Sequence, residues 1–188
     1  MAVQLSLVGF TGSLRVGSVN QGVLRAIQEL LPVDARLEIL ALDTLPFYNM
    51  DLEADEPASV RRFKEQLRQA DAVVIATPEF NASIPGVLKN ALDWASRPSG
   101  QSVLVGKPTA ITGAGGRGGT VSAQQHLRQI LKRFGVVVLE APEVYIANSW
   151  EKFDSGGQLR DEATREHLRR LVVALLEQVR AQPVASAA

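Results

Sequence analysis

The sequence predicts a doubly wound α/β domain, a parallel sheet with helices on both faces. Two observations carry this. Apolar runs of strand length alternate with amphipathic runs of helix length along the whole chain. One run, Ala72-Val-Val-Ile-Ala76, is apolar at every position, as a strand covered on both sides must be.

Five strands follow from these runs, at residues 4–10, 36–40, 72–77, 109–112 and 136–146. The second, Arg36-Leu-Glu-Ile-Leu40, alternates polar and apolar residues and suits an edge. Val23, Leu24, Ile27, Leu30 and Leu31 line the first helix at a 3.6-residue period. Val87, Leu88, Ala91, Leu92 and Ala95 mark the helix after the third strand, with Pro85 near its start. Leu127, Ile130, Leu131 and Phe134 line the next helix, and Leu168, Leu171, Val172, Leu175, Leu176 and Val179 the last. The expected architecture is a flavodoxin-like three-layer sandwich, a five-stranded parallel sheet of order 2-1-3-4-5. Residues 1–188 form one domain in this reading, with 181–188 a frayed tail.

Composition excludes several functions. The chain has no cysteine, which removes disulfides, thiolate nucleophiles and iron–sulfur ligation. With two histidines, His126 and His167, a metal cage is not expected. Twenty acids balance twenty bases, so no global field draws the protein to nucleic acid or an anionic membrane. The first ten residues read as a strand and not as a signal peptide, and no apolar run is long enough to span a bilayer. A soluble, cytoplasmic protein is expected.

In such sheets ligands sit beyond the carboxyl ends of the strands, and three loops there carry signals. Gly12-Ser-Leu-Arg-Val-Gly-Ser-Val-Asn20 opens the first helix with small and hydroxyl residues. Ser13, Ser18 and Asn20 can donate to phosphate oxygens beside the planar fork of Arg15; a solvated turn with Ser18 as a plain cap is the simpler alternative. After the third strand, Pro78, Glu79, Phe80 and Asn81 present backbone N–H groups and an aromatic edge suited to a planar heterocycle. Thr112-Gly-Ala-Gly-Gly-Arg-Gly-Gly-Thr120 contains G-x-G-x-x-G, but not on the first βα turn where a dinucleotide fold needs it. Its glycines suggest close backbone approach to a flat ligand. Together the loops describe a mononucleotide pocket whose natural occupant is FMN.

At these residues the chain resembles the NAD(P)H-dependent FMN reductase family, flavodoxin-like proteins that include bacterial quinone, azo-dye and chromate reductases. Leu45-Pro-Phe-Tyr-Asn-Met-Asp-Leu-Glu53 is similar to a further family landmark. The resemblance implies that Ser13, Arg15, Ser18 and Asn20 hold the FMN phosphate. It implies that Pro78, Glu79, Phe80 and Asn81 line the isoalloxazine with Ser83 nearby, and that Gly113, Gly115 and Gly116 approach its pyrimidine edge. The family usually has Tyr where this chain has Phe80. NADPH or NADH would be the co-substrate, a quinone, azo compound or free flavin the acceptor, and a homodimer or homotetramer the assembly.

The redox chemistry would belong to the flavin, so no catalytic side chain is assigned. The rival reading is a non-catalytic flavodoxin-type electron carrier, to which the neutral charge and Arg15 are ill suited. By motif neither histidine lies near the pocket, and Trp94, Trp150 and Phe153 either pack locally or cap a neighbouring subunit.

Overall fold

Alternation within each strand decides which layer a side chain joins. Residues 4–182 are described by the structure, a computed structural model. Its strands are β1 (Leu5–Thr11), β2 (Ala35–Leu40), β3 (Ala72–Ala76), β4 (Pro108–Ala114), β5 (Val137–Val138) and β6 (Val144–Ile146). The helices are α1 (Val19–Leu30), α2 (Ala58–Gln69), α3 (Gly86–Ala95), α4 (Val121–Arg133), the short α5 (Ser149–Lys152) and α6 (Glu162–Ala181).

All strand pairs are parallel, and the order is β2-β1-β3-β4-β5, with β6 also on β4. This is the expected flavodoxin-like order. Val8 and Phe10 of β1 and Val73 and Ile75 of β3 face one layer, where α2, α3 and α4 contribute Phe63, Leu88 and Leu127. Leu7, Val74 and Ala110 face the other, against Leu24 and Ile27 of α1 and Leu171 and Leu175 of α6. Every residue of β3 is buried, which explains its unbroken apolar run.

The fifth strand differs from expectation. Residues 136–146 do not form one strand but two short ones, both on the outer edge of β4. Thr109 pairs with Val138 and Thr112 with Val144, so three steps along β4 face six along its partner. The surplus lies at 139–143, where Pro142 has no N–H to offer a ladder.

Trp94 is fully buried in α3 and packs locally: its Nε1 donates to Pro46 O at 2.8 Å, and the Asn90 Nδ2 donates to the same oxygen at 2.9 Å. The 45–53 segment is thereby fastened to α3. Helix α6 runs through Ala181; residues 183–188 of the expected tail lie outside the described residues.

The start of α6 is capped by Asp161, whose carboxylate accepts from the Thr164 hydroxyl at 2.6 Å and its N–H at 2.8 Å. These bonds, the hydroxyl's first, hold the carboxyl below the ordinary aspartate range. Asp161→Ala should therefore destabilise the protein by about 1 kcal/mol at neutral pH. A depressed pKa makes this contribution complete above the unfolded value of about 3.9 and lost as pH falls through the native one. Urea melts of both proteins at neutral and acidic pH should show the gap closing in acid.

Candidate functional site

Thr11 at the end of β1 pairs with Ala76 at the end of β3, so the loops leaving these strands emerge side by side. β4 lies next to β3 and sends the glycine loop out at the same edge.

In the first loop, Ser13 N–H donates to Thr11 Oγ1 at 3.2 Å and Ser18 N–H to Arg15 O at 3.2 Å. Ser18 is buried and caps α1, its Oγ accepting from Gln21 N–H at 3.4 Å. Between them the N–H groups of Leu14, Arg15 and Val16 meet no acceptor among the described residues. Nor do those of Val19 and Asn20 in the first turn of α1, at the positive end of the helix dipole. Arg15 is exposed and makes no ion pair among the described residues. Asn20 is buried and already engaged: its Nδ2 donates to Ala114 O at 2.9 Å, and its Oδ1 accepts from Ala114 N–H at 2.8 Å.

The second loop is a tight hairpin. Phe80 and Ser83 exchange backbone hydrogen bonds of 3.0 Å in each direction, across Asn81 at φ 51° and Ala82 at φ 58°. Two positive φ angles define a type I′ turn, which exposes Phe80 to 54% at its base. Pro78 is buried beneath, its carbonyl accepting from Thr77 Oγ1 at 2.7 Å. Glu79 turns away to α4, where Oε2 accepts from Ala123 N–H at 3.0 Å. It thereby caps a helix whose own N-cap, Thr120, makes no side-chain cap bond.

Two of the three named glycines in the third loop are required by the protein itself. A Cβ on Gly113 would lie 2.1 Å from Thr77 O, and one on Gly115 would lie 2.4 Å from Gly119 O. Gly116 has nothing within 4 Å of its Cβ position. The loop is tied to the segment after β6, since Asn148 N–H donates to Gly116 O at 2.9 Å and Ser149 N–H to Gly115 O at 3.0 Å. The N–H groups of Arg117 and Gly118 have no acceptor among the described residues, while Gly116 and Gly119 pair across the turn.

The sequence reading put both histidines away from the pocket; the structure brings one of them onto the base of the second loop. His126 Nδ1 lies 2.7 Å from Ser83 Oγ. One helical turn beyond the α4 start places it under the hairpin, a proximity that no motif spells out. Phe153 is buried, whereas Trp150 on α5 is exposed to 59%.

Two grooves flank the first loop. One of about 440 Å³ runs between Gly12, Ser13, Leu14 and Arg15 on one side and Phe80, Pro85 and Val87 on the other. The second, of about 230 Å³, is bounded by Thr11, Arg15, Gln21 and Asp43. Larger hollows beside α2 and at the end of α3 do not bring these loops together. The rim thus offers unaccepted N–H donors and a free guanidinium at one end and an aromatic edge at the other. Such a surface can hold an anionic, planar molecule.

Comparison with known proteins agrees with this chemistry. The family model for NADPH-dependent FMN reductase matches residues 5–151. A 2-hydroxy-1,4-benzoquinone reductase from a Burkholderia species is 44% identical, over 90% of this chain and 92% of its own. An NAD(P)H-dependent FMN reductase of Pseudomonas aeruginosa is 45% identical over 93% and 95%. Among solved structures, the flavoenzyme NAD(P)H:(acceptor) oxidoreductase FerB from Paracoccus denitrificans superimposes with a TM-score of 0.83. It shares 37% identity and is covered over 97% of its chain, against 94% of this one.

Ala82 sits in a left-handed conformation that suits glycine. Ala82→Gly should raise stability by about 0.5–1 kcal/mol, read as an increase in the denaturation midpoint at unchanged slope.

Proposed function

The chain belongs to the NADPH-dependent FMN reductase family, and from that premise we propose how its three loops serve the reaction. The protein is an FMN-dependent oxidoreductase that moves two electrons from NADH or NADPH to a small acceptor such as a quinone. Relatives at this level of identity are named as reductases, which favours an enzyme over an electron carrier.

FMN fits the residues present. The observation that carries the fit is the unpaired Arg15 among N–H groups without acceptors, at the N-terminus of α1. A dianionic phosphate satisfies all of these at once. Ser13, Arg15 and Ser18 hold it, and Asn20 positions the loop through Ala114. Pro78, Phe80 and Asn81 line the isoalloxazine, while Glu79 and Ser83 fix the hairpin through Ala123 and His126. Gly113 and Gly115 let the glycine loop pack closely, so that the free N–H groups of Arg117 and Gly118 would meet the polar edge of the ring beside Gly116.

When bound, FMN supplies the two-electron chemistry. The chain's residues orient it and leave one face accessible for nicotinamide and acceptor in turn. Phe80, half exposed across the groove from Leu14, would offer the ring an apolar edge. The N–H dipoles of Arg117 and Gly118 would stabilise negative charge at the polar edge of a bound flavin. Exposed Leu14 borders the same groove as Phe80, and such apolar surface at the mouth supports a homodimer or homotetramer with a second subunit nearby. Light scattering should return a mass of two or four chains.

The visible spectrum of the protein reconstituted with FMN, before and after anaerobic NADPH or NADH, tests the assignment. A bound flavin band that bleaches within seconds is expected. A band that stays oxidised with both nicotinamides would favour a carrier, and failure to bind FMN would overturn the reading of the loops. Arg15→Ala should weaken FMN binding by about 10- to 100-fold, the range for a lost charge-assisted hydrogen bond, and leave riboflavin binding unchanged.

A further inference from the structure

We infer that the hairpin at residues 153–159, beyond the stretch matched by the family model, positions the phosphate loop by packing on its C-terminal end and on the first turns of α1. This rests on the assignment of residues 12–20 as the FMN phosphate site. The hairpin is closed by the Phe153–Leu159 bridge and by Arg160 N–H donating to Lys152 O at 2.8 Å.

Its tip is built around one carboxylate. Asp154 Oδ1 accepts from Gly156 N–H at 3.0 Å and Gln158 N–H at 2.9 Å, and Oδ2 takes Arg160 Nε at 2.9 Å. A tip so braced is stiff, and it sets Gly157 directly against the start of α1. A Cβ on Gly22 would lie 1.9 Å from Gly157 O and 3.2 Å from the Phe153 ring. The same carbonyl accepts from Arg25 Nη2 at 3.1 Å, so α1 both makes room for the tip and holds it. On its other side Gly157 approaches the turn of the phosphate loop. A Cβ there would lie 2.9 Å from Gly17 O and 3.3 Å from Ser18 O.

Gly17, at φ 72°, is the left-handed residue on which the loop reverses before Ser18 begins the helix. The carbonyls of Gly17 and Ser18 are thus packed against the tip, which holds in place the turn that follows the unaccepted N–H groups of Leu14, Arg15 and Val16. A site for phosphate gains affinity when its donors are held in place before binding, because less ordering remains to be done. The hairpin therefore acts on FMN through the loop and touches no reacting atom.

Riboflavin, which has the same ring and no phosphate, separates this role from general stabilisation. Dissociation constants for FMN and riboflavin should be measured by flavin fluorescence on the full chain and on Gly22→Ala, Arg25→Met and Arg25→Lys. Gly22→Ala and Arg25→Met should raise the FMN constant roughly tenfold or more while riboflavin shifts by less than twofold. Arg25→Lys, which keeps a donor, should recover much of the loss. Should Gly22→Ala not fold, the two Arg25 variants decide. Equal losses for both flavins, or no loss of FMN binding in Arg25→Met, would overturn the inference. Failure of the unaltered protein to bind FMN would instead overturn the assignment of the loop.

Discussion

One buried amide ties the two ends of the site together. Asn20, in the first turn of α1, bonds both the N–H and the C=O of Ala114 at the end of β4, across 94 residues of sequence. An unpaired amide there would be expensive to bury, so the native arrangement requires helix start and strand end to keep this distance. The spacing between the hydroxyl-rich loop and the glycine loop is set by that requirement. Both loops are held through this one side chain, and the backbone donors of Leu14, Arg15 and Val16 are not spent on the contact.

The middle loop is joined to the third by a different device. Glu79 leaves the rim and supplies the cap that Thr120 does not, so the base of the aromatic hairpin and the start of α4 move as one body. Gly113 completes this side, because Thr77 O occupies the place of a side chain. The three loops come from strands adjacent in the sheet, and polar contacts or a close backbone approach join the third loop to each of the other two. A long planar ligand meets a surface whose parts are already mutually fixed.

Much of this was legible in the chain. The all-apolar β3 and the alternating β2 revealed centre and edge, because periodicity follows directly from which faces are covered. The Gly12–Asn20 and Pro78–Asn81 stretches could be placed at the carboxyl ends of β1 and β3, the edge where this kind of sheet takes its ligands. What could not be read was tertiary. Asn20 has the same appearance whether it donates to a ligand or to Ala114, and a glycine required by Thr77 O looks like one required by a flavin. His126 reaches Ser83 only because α4 starts against the hairpin. The division of the fifth strand was signalled only by Glu140, Pro142 and Glu143 inside an otherwise apolar run, a break that strand-length hydropathy alone passes over.

That division has a bearing on how the molecule behaves in a crowded solution. An outer strand with a long free row of N–H and C=O groups is a template on which another chain can add its own strand. Here the edge beyond β4 is two residues of β5 and three of β6, separated by a proline-containing excursion that spoils any continuous register. At the opposite edge, β2 turns Arg36 and Glu38 outward to solvent. A parallel sheet exposed at both margins is in this way kept from growing into an aggregate.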